Sequence, residues 1–248
     1  MADQRHLPNA PITEALIDLR VETPADVTIE TFAELLARRN NLGYTLKGRI
    51  MRGEFGFAFS ASEGPRPIGG QSSGIGVRLH SPDERYVAQL SVEGFTLSRL
   101  QPYESWEALV GEARRLWQDY SECLNPPRII RVATRYINNL RLPPTPGLQS
   151  FLNLLPVLPV GLPDALSGFL QRYVLSDADS EATIILTQAL EVSSLERPLP
   201  VILDIDAFRV APFPSDGPAV WAYLSRLRSL KNRTFFACLT DAGVALYL

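Results

Sequence analysis

Apolar and polar side chains alternate with a period of two between residues 128 and 142. Because successive side chains of a β-strand point to opposite faces of a sheet, this alternation predicts a long strand with one buried face. Proline pairs at 126–127 and 143–144 bound the strand, since a residue without an N–H cannot continue a ladder. The predicted buried face consists of Ile130, Val132, Thr134, Tyr136, Asn138 and Leu140. The opposite face carries an arginine stripe formed by Arg131, Arg135 and Arg141.

The residues before this strand predict the order strand, helix, four strands, helix. Alternation over 14–22 predicts the first strand. Helical spacing of apolar residues predicts a helix over 27–39, with Asp26 or Thr28 as its N-cap. A second helix is predicted over 104–123, where apolar residues recur at intervals of three and four. The four strands between the helices are predicted over 49–60, 75–79, 85–90 and 92–100.

A stretch rich in glycine, proline and serine, at 62–74, predicts a long mobile loop between two of these strands. The glycine-rich part at 69–76 lacks the lysine of a phosphate-binding loop and leads into a strand rather than a helix. We therefore predict a flexible loop, which could act as a lid, and no nucleotide site there.

The second half follows a similar order. After the 128–142 strand comes a proline-rich connector at 156–163, which has little room for regular structure. A last helix is predicted to start near 215–218, and Phe235, Phe236 and Leu239 are predicted to belong to a second short helix. Three strands are predicted between connector and helix, over 169–175, 183–190 and 201–210.

This order predicts a single α+β domain, residues 1–248, built from two pseudo-repeats at about 1–125 and 126–248. The repeated plan of strand, helix, four strands and helix predicts a curved antiparallel sheet with long helices on one face. The TATA-binding-protein-like and helix-grip folds share this plan. That likeness is an analogy at the level of the fold, and it implies no function.

Composition narrows the class of protein. The net charge of −3 does not indicate binding to nucleic acid or to a membrane surface, which needs a basic excess. Cys123 and Cys238 lack metal-site spacing and are interpreted as buried thiols in a reducing compartment. The chain has neither a signal-peptide pattern nor an apolar run of about 18 residues. A cytoplasmic location without membrane contact is the prediction.

Two aspartates on one face of the predicted 201–210 strand, Asp204 and Asp206, are the most suggestive acidic pair. Carboxylates at positions i and i+2 point the same way, as divalent-cation sites of nucleotidyl-transfer enzymes require. Such a site also needs a third carboxylate and a phosphate-cradling turn, and no such turn is found in the sequence. The alternative is that both aspartates pair with arginines, because structural ion pairs imitate functional carboxylates.

Arg131 and Arg135 form a second charged group with the acidic side of the first strand, which carries Glu14, Asp18 and Glu22. If the first strands of the two halves are neighbours, opposite charges face each other as cross-strand pairs, with Arg135 contacting Asp18 or Glu14. Alternatively, the arginines bind an anionic ligand with bidentate geometry. Both interpretations stay open.

The remaining chemistry is sparse. His6 and His80 have no metal-ligand spacing and no nucleophile in a recognisable arrangement. No cofactor is therefore predicted. Trp221 and Tyr223 lie off the main apolar face of the last predicted helix, which makes them candidates for a protein–protein contact.

Several short motifs together resemble a sporadically distributed bacterial family that has no assigned activity. They are A-P-I-x-E-A at 10–15 after Leu7, Y-x-x-W at 103–106, R-Y-I-N at 135–138, L-D-x-D-x-F at 203–208 and F-F-x-x-L-T at 235–240. The resemblance covers nearly the whole chain and implies a single unit of this length. It implies no reaction, cofactor or ligand.

Two functional hypotheses follow. The first is a non-enzymatic binding or interaction module, a homodimer or an accessory protein in a mobile or defence-associated bacterial system, because no complete catalytic arrangement is found. Its candidate ligand-binding residues are Glu14, Asp18, Arg131, Arg135, Asp204 and Asp206. The second hypothesis is a metal-dependent enzyme of nucleotidyl or phosphoryl transfer that uses the two aspartates of the late strand.

Overall fold

The computed structural model describes residues 7–24, 27–60, 64–163, 167–191 and 198–248. These residues contain nine strands, β1 (Ile12–Val21), β2 (Thr45–Ser60), β3 (Gly64–His80), β4 (Tyr86–Ser91), β5 (Gly94–Leu100), β6 (Ile129–Leu142), β7 (Gly168–Asp177), β8 (Ala182–Glu191) and β9 (Leu199–Phe213). They also contain four α-helices, α1 (Ile29–Arg38), α2 (Trp106–Leu124), α3 (Ala219–Cys238) and α4 (Asp241–Ala245). The predicted α+β class is confirmed.

All described strands belong to one antiparallel sheet, in the order β2-β3-β4-β5-β1-β6-β9-β8-β7. The strands that begin the two halves, β1 and β6, are neighbours near its centre, with Ile17 opposite Thr134. Each of them also pairs with the last strand of its own half, β5 or β9. The two sets of strands therefore extend outwards from the β1–β6 pair. Among the described residues, the second half has three strands rather than four after its first strand, and no α-helix precedes them.

The core lies on the face of the sheet that the helices cover. Side chains from both halves form one hydrophobic cluster there, because the buried faces of β1 and β6 are in register. On the first half, Trp117 of α2 packs edge-on against Phe95 of β5 and stacks on Tyr120. Trp106 and Trp117 are both buried, as the spacing of the predicted helix requires.

One face of β6 departs from its prediction. Ile130 is exposed and Ile129 is buried in its place. The pairing with β9 shifts between Ile129 and Arg131, and such a bulge turns the first residue of the strand to the other face. From Val132 to Leu142 the predicted alternation is confirmed.

The predicted loop at 62–74 is wrong for its described part. Residues from Gly64 onward belong to β3, which pairs with β2 as a long hairpin. The glycines allow close approach of neighbouring backbones, since a Cβ at Gly76 would lie 2.3 Å from the Leu90 carbonyl oxygen. In this stretch glycine serves close packing of strands in the sheet rather than a loop. The hypothesis that a loop here acts as a lid is therefore also wrong. Residues 61–63 lie outside the described residues.

The C-terminal helix differs from its prediction in two ways. It continues to Cys238, so Phe235 and Phe236 belong to α3 and the short helix α4 begins later, at Asp241. Trp221 and Tyr223 are buried rather than available for a partner. The Tyr223 hydroxyl donates a hydrogen bond to the Ser180 carbonyl oxygen, so the loop after β7 covers this side of the helix.

Three smaller predictions are settled by the same structure. Thr28 is the N-cap of α1, whereas Asp26 lies outside the described residues. Cys238 is buried and Cys123 is half-buried, and both are free thiols. Within the described ranges, no helix combines the length and apolar character needed to cross a membrane.

Candidate ligand-binding site

The face of the sheet opposite the helices carries the predicted charged residues in the centre. The Arg131 guanidinium lies between two carboxylates, with Nη1 2.8 Å from Asp18 Oδ1 and Nη2 3.0 Å from Asp206 Oδ2. Its carbon also lies 4.4 Å from the centroid of the Phe208 ring, which is a cation–π contact. This arginine therefore joins β1, β6 and β9 across the middle of the sheet.

Arg135 has a different partner from the one predicted. Its Nε lies 2.8 Å from Asp204 Oδ1 and its Nη2 2.5 Å from Asp204 Oδ2, a bidentate pair. On β1 the residue opposite Arg135 is Leu16, which offers no acceptor, so the arginine turns towards β9. The prediction that Arg135 contacts Asp18 or Glu14 is wrong. The hydrogen bond to Asp204 is the main cause that raises the pKa of Arg135, and the more distant charge of Glu14 makes a smaller contribution.

Three further predicted or neighbouring acidic residues, Asp18, Asp206 and Glu22, also have basic partners, whereas Glu14 lies opposite Leu100 of β5 and makes no ion pair among the described residues. Asp18 is buried and accepts hydrogen bonds from Thr96 and Arg20 in addition to Arg131. Burial raises the pKa of Asp206, and the positive charge of Arg131 opposes that shift. Glu22 pairs with Arg128 at the end of β6.

This arrangement favours the ion-pair interpretation of Asp204 and Asp206 over a metal site. A cation could reach both carboxylates only by displacing two guanidinium groups that already neutralise them. Among the described residues, no group of three histidine, cysteine, aspartate or glutamate side chains could hold a metal ion. The geometry therefore adds no support to the metal-dependent enzyme.

A double-mutant cycle tests the corrected pairing. We expect Arg135→Gln and Asp204→Asn to couple by about 0.5–1 kcal/mol in the free energy of unfolding, because the bidentate pair is still half-exposed. The control cycle of Arg135→Gln with Asp18→Asn should be additive. Urea denaturation of the variants measures both. Coupling to Asp18 without coupling to Asp204 would contradict the pairing.

A cavity of about 1120 Å³ lies on the helix side of the sheet, away from this charged network. Its walls are α3, the C-terminal half of β6, the N-terminal segment 7–13 and the start of α2. None of the six predicted ligand-binding residues lines it. The polar side chains on which the interpretation below depends are Tyr103, Tyr136, Asn139, Arg228 and Lys231.

Lys231 is the unusual residue of this cavity. It is only 7% exposed, and its Nζ lies 3.6 Å from the centroid of the Tyr136 ring. In the described part of the chain this amine has neither a carboxylate within ion-pair distance nor a hydrogen-bond acceptor. Burial, with a smaller contribution from Arg228, lowers the pKa of Lys231 to about 7.

The sequence places Lys231 at a position where an apolar residue is expected. The buried stripe of α3 has spacings of three and four, and Lys231 occupies one of its positions between Leu227 and Phe235. The chain contains 24 lysines and arginines, of which only Lys47 and Lys231 are lysines. A rare lysine within an apolar stripe was thus a visible signal that the sequence analysis missed.

The two tyrosines of the cavity provide no counter-charge for the amine. Their hydroxyl oxygens lie 3.0 Å apart in a hydrogen bond, and their rings meet edge-on. Burial raises the pKa of Tyr103 to about 12 and that of Tyr136 well above its ordinary value. Both phenols are therefore neutral at physiological pH.

Three basic residues line the cavity, Arg141, Arg228 and Lys231, against two acidic ones, Glu104 and Glu107. Arg228 lines it near Lys231, and the N-terminus of α2, capped by Ser105, contributes the positive end of a helix dipole. Glu107 pairs with Arg228, with Nη1 3.3 Å from Oε1, but is itself mostly exposed at the rim. Asn139 adds a buried Oδ1 that has no hydrogen-bond partner among the described residues and can accept a hydrogen bond from a donor elsewhere on a ligand. The site can therefore attract an anionic group and orient it with a few polar contacts.

No family model matches the chain, and none of the curated proteins matches it in sequence. The resemblance to the sporadically distributed bacterial family stays a prediction. Any assignment of function then depends on the geometry of the site.

Proposed function

We propose that this protein is a binding module for a small molecule with an anionic group, held in the cavity around Lys231. The observation that supports the proposal is a largely buried amine that lines the cavity and has no counter-charge among the described residues. An unpaired buried cation lowers stability, and proteins keep such groups mainly where a ligand or a reaction uses them. A bound carboxylate, sulfate or phosphate group would neutralise Lys231 and compete with Glu107 for Arg228.

We extend the proposal to the setting that the sequence predicted. The protein would act in the bacterial cytoplasm as an accessory component, on the curved, pseudo-duplicated sheet plan of the TATA-binding-protein-like or helix-grip folds. The metal-dependent enzyme remains the alternative, but the aspartates on which it depends are held by arginines.

Binding of anions to the intact protein tests the proposed function. We expect phosphate, sulfate or a small dicarboxylate to raise the melting temperature, because a ligand that binds only the folded state stabilises it, by about 2.7 kcal/mol at a concentration of 100 Kd. Lys231→Met should abolish this response, whereas the exposed control Lys47→Met should keep it. If no anion shifts the wild type, or if Lys231→Met responds equally, the proposal fails.

The pH dependence of binding has a definite sign. The free protein has a Lys231 pKa of about 7, and a bound anion favours the charged amine. Above pH 7 binding must therefore take up a proton, and affinity should fall by up to about tenfold per pH unit. The other charged and titratable groups near the amine are Tyr103, Glu104, Glu107, Tyr136, Arg141 and Arg228. Isothermal titration between pH 6 and pH 9, with Lys231→Met as the control, measures this effect.

A second function, self-association, is favoured by the outer strand β7. We propose that a second copy of this chain pairs with it. β7 has ten residues, one neighbour and no register shift. Its side chains Leu170, Tyr173, Val174 and Leu175 are exposed on both faces. Natural proteins usually protect such an edge with charges or bulges.

The opposite edge of the same sheet provides a comparison. β2 carries Lys47, Arg49 and Arg52 and has three register shifts, features that discourage pairing. β7 has a single mid-strand charge, Arg172. In an antiparallel pair centred on Tyr173, the two tyrosines face each other and Arg172 lies opposite Val174 of the second copy. The charges then avoid one another, which is why we assign the edge to self-pairing.

Sedimentation or light scattering tests this assignment. The wild type should be a dimer at micromolar concentration, and Leu170→Lys with Val174→Lys should give a folded monomer. Leu46→Lys, a comparably exposed leucine on the β2 edge, should leave the dimer intact. A monomeric wild type would refute the pairing and leave the cavity proposal untouched.

A further inference from the structure

The cavity amine has the surroundings of a nucleophile as well as those of an anion ligand. A lysine becomes nucleophilic when it is desolvated or placed beside another cation, because both conditions favour the neutral amine. Lys231 meets both conditions, since it is 7% exposed and shares its cavity and helix with Arg228. No carboxylate among the described residues holds its proton.

The rest of the cavity separates the amine from the groups that would hold an anion. Nζ lies over the Tyr136 ring, while Arg228 lies over Trp106 at the start of α2, with its guanidinium carbon 5.6 Å from that ring centroid. One ligand could thus place its anionic group near Arg228 and the first turn of α2. Another part of the same ligand would then face the amine.

We propose that Lys231 forms an imine with an aldehyde or ketone carbonyl of an anionic ligand. This inference rests on the proposed function only in requiring that the ligand carries an anionic group; the reactivity of the amine is a separate claim. The amine nitrogen attacks the carbonyl carbon and gives a carbinolamine. The carbon–oxygen bond then breaks, the carbon–nitrogen double bond forms, and the oxygen leaves as water with two protons, both in net terms from the amine nitrogen.

The phenol pair has a positioning role in this step. Tyr136 supports the amine with its ring, and its hydroxyl is fixed by the hydrogen bond to Tyr103. Because both phenols stay protonated, they offer O–H groups that can donate a hydrogen bond to the carbonyl oxygen of the ligand. No oxidant, metal or further reactant is needed.

The chain contains its own control for a labelling experiment. Lys47 is the only other lysine, and it lies on the surface, with Nζ 2.7 Å from Glu84 Oε1. An ordinary surface lysine is almost entirely protonated at pH 7 and reacts slowly with carbonyl compounds. If accessibility decides the rate of labelling, Lys47 should react faster. If nucleophilicity decides it, Lys231 should react faster.

The test treats the intact protein with glyoxylate, an anionic aldehyde, or with neutral propionaldehyde, followed by cyanoborohydride. Peptide mapping by mass spectrometry separates Lys231, Lys47 and the N-terminal amine. We expect one glyoxylate adduct at Lys231, formed at least tenfold faster than any adduct at Lys47 at pH 7. Its rate should rise with pH as the amine loses its proton. Propionaldehyde should react more slowly at the same residue.

Several outcomes separate this inference from the proposed function. Anion binding without an adduct at Lys231 overturns the inference and keeps the binding module. If both aldehydes react equally fast at Lys231, the assignment of Lys231 as a nucleophile stands, and the claim that the ligand carries an anionic group is refuted. If Lys47 and Lys231 of the wild-type protein are labelled at the same rate, the claim that Lys231 is an activated nucleophile is refuted, and no variant is needed to show it. Lys231→Gln should remove the adduct, and Tyr136→Phe should slow its formation.

Discussion

Lys231→Met should stabilise the protein by about 2–5 kcal/mol at pH 6. Methionine has a similar length and needs no solvation, so it removes the cost of holding a charged amine in a buried position. A pKa that falls from 10.5 to about 7 on folding corresponds to about 5 kcal/mol, which is the upper limit of the gain. Urea denaturation of wild type and variant measures the difference.

The effect should depend on pH with a known sign. Below pH 7 the amine is protonated in both states, and its full destabilising effect is present. Between pH 7 and about 10 the unfolded chain binds a proton that the folded protein lacks, so wild-type stability rises with pH through this group. The advantage of Lys231→Met should shrink by about 1.4 kcal/mol per pH unit over that window.

Lys47→Met is the matched control, because its side chain is on the surface and should change stability by less than about 0.5 kcal/mol. A Lys231→Met protein that is less stable than wild type, or an advantage that does not vary with pH, would show that Lys231 has a structural partner. Stabilisation together with loss of anion binding is the pattern expected of a residue kept for function.

Trp117→Ala should destabilise the protein by about 3–5 kcal/mol. The indole is 5% exposed and packs against Phe95 and Tyr120, so its removal leaves a large cavity where α2 meets the sheet. The change also removes the indole N–H that donates a hydrogen bond to the Ser215 carbonyl oxygen at 3.1 Å. That bond ties α2 to the segment before α3.

Chemical denaturation measures this loss of stability and compares it with the effect of two control variants. Gln118→Ala, at an exposed position of the same helix, should change the free energy of unfolding by less than about 0.5 kcal/mol. Trp117→Phe keeps a ring in the core but loses the hydrogen bond, and should fall between the two. A Trp117→Ala protein as stable as wild type would remove α2 from the core and contradict the packing of the first half.

Local patterns were sufficient where one physical requirement decided the structure. The alternation in β6 and the three-and-four spacing in α2 both come from the need to bury one face of an element, and both are confirmed. The glycine-rich part of β3 was misjudged because glycine serves turns and close strand packing equally well. Only the partner strands, β2 along residues 64–74 and β4 from Gly76 onward, decide between them.

The charged face of the sheet shows which information comes from the pairing register of the strands and not from the spacing of residues in the sequence. Sequence spacing put Arg131, Arg135, Asp204 and Asp206 on polar faces, and all four meet there. It could not choose the partners, because a diagonal neighbour two residues along is within reach of an arginine. The register of β6 with β9 places Asp206 directly opposite Arg135 and Asp204 diagonally to it, and the arginine pairs with Asp204 rather than with Asp18 of β1.

By itself, the sequence determined the α+β class and most of the order of elements, because burial of one face has a period that can be read along the chain. Only the tertiary structure decided where a binding site can lie. The Lys231 cavity is formed by α3, β6, the start of α2 and the N-terminal segment, which are far apart in sequence. Its chemistry arises from burial and from the missing counter-charge, and both depend on which surfaces the folded chain brings together.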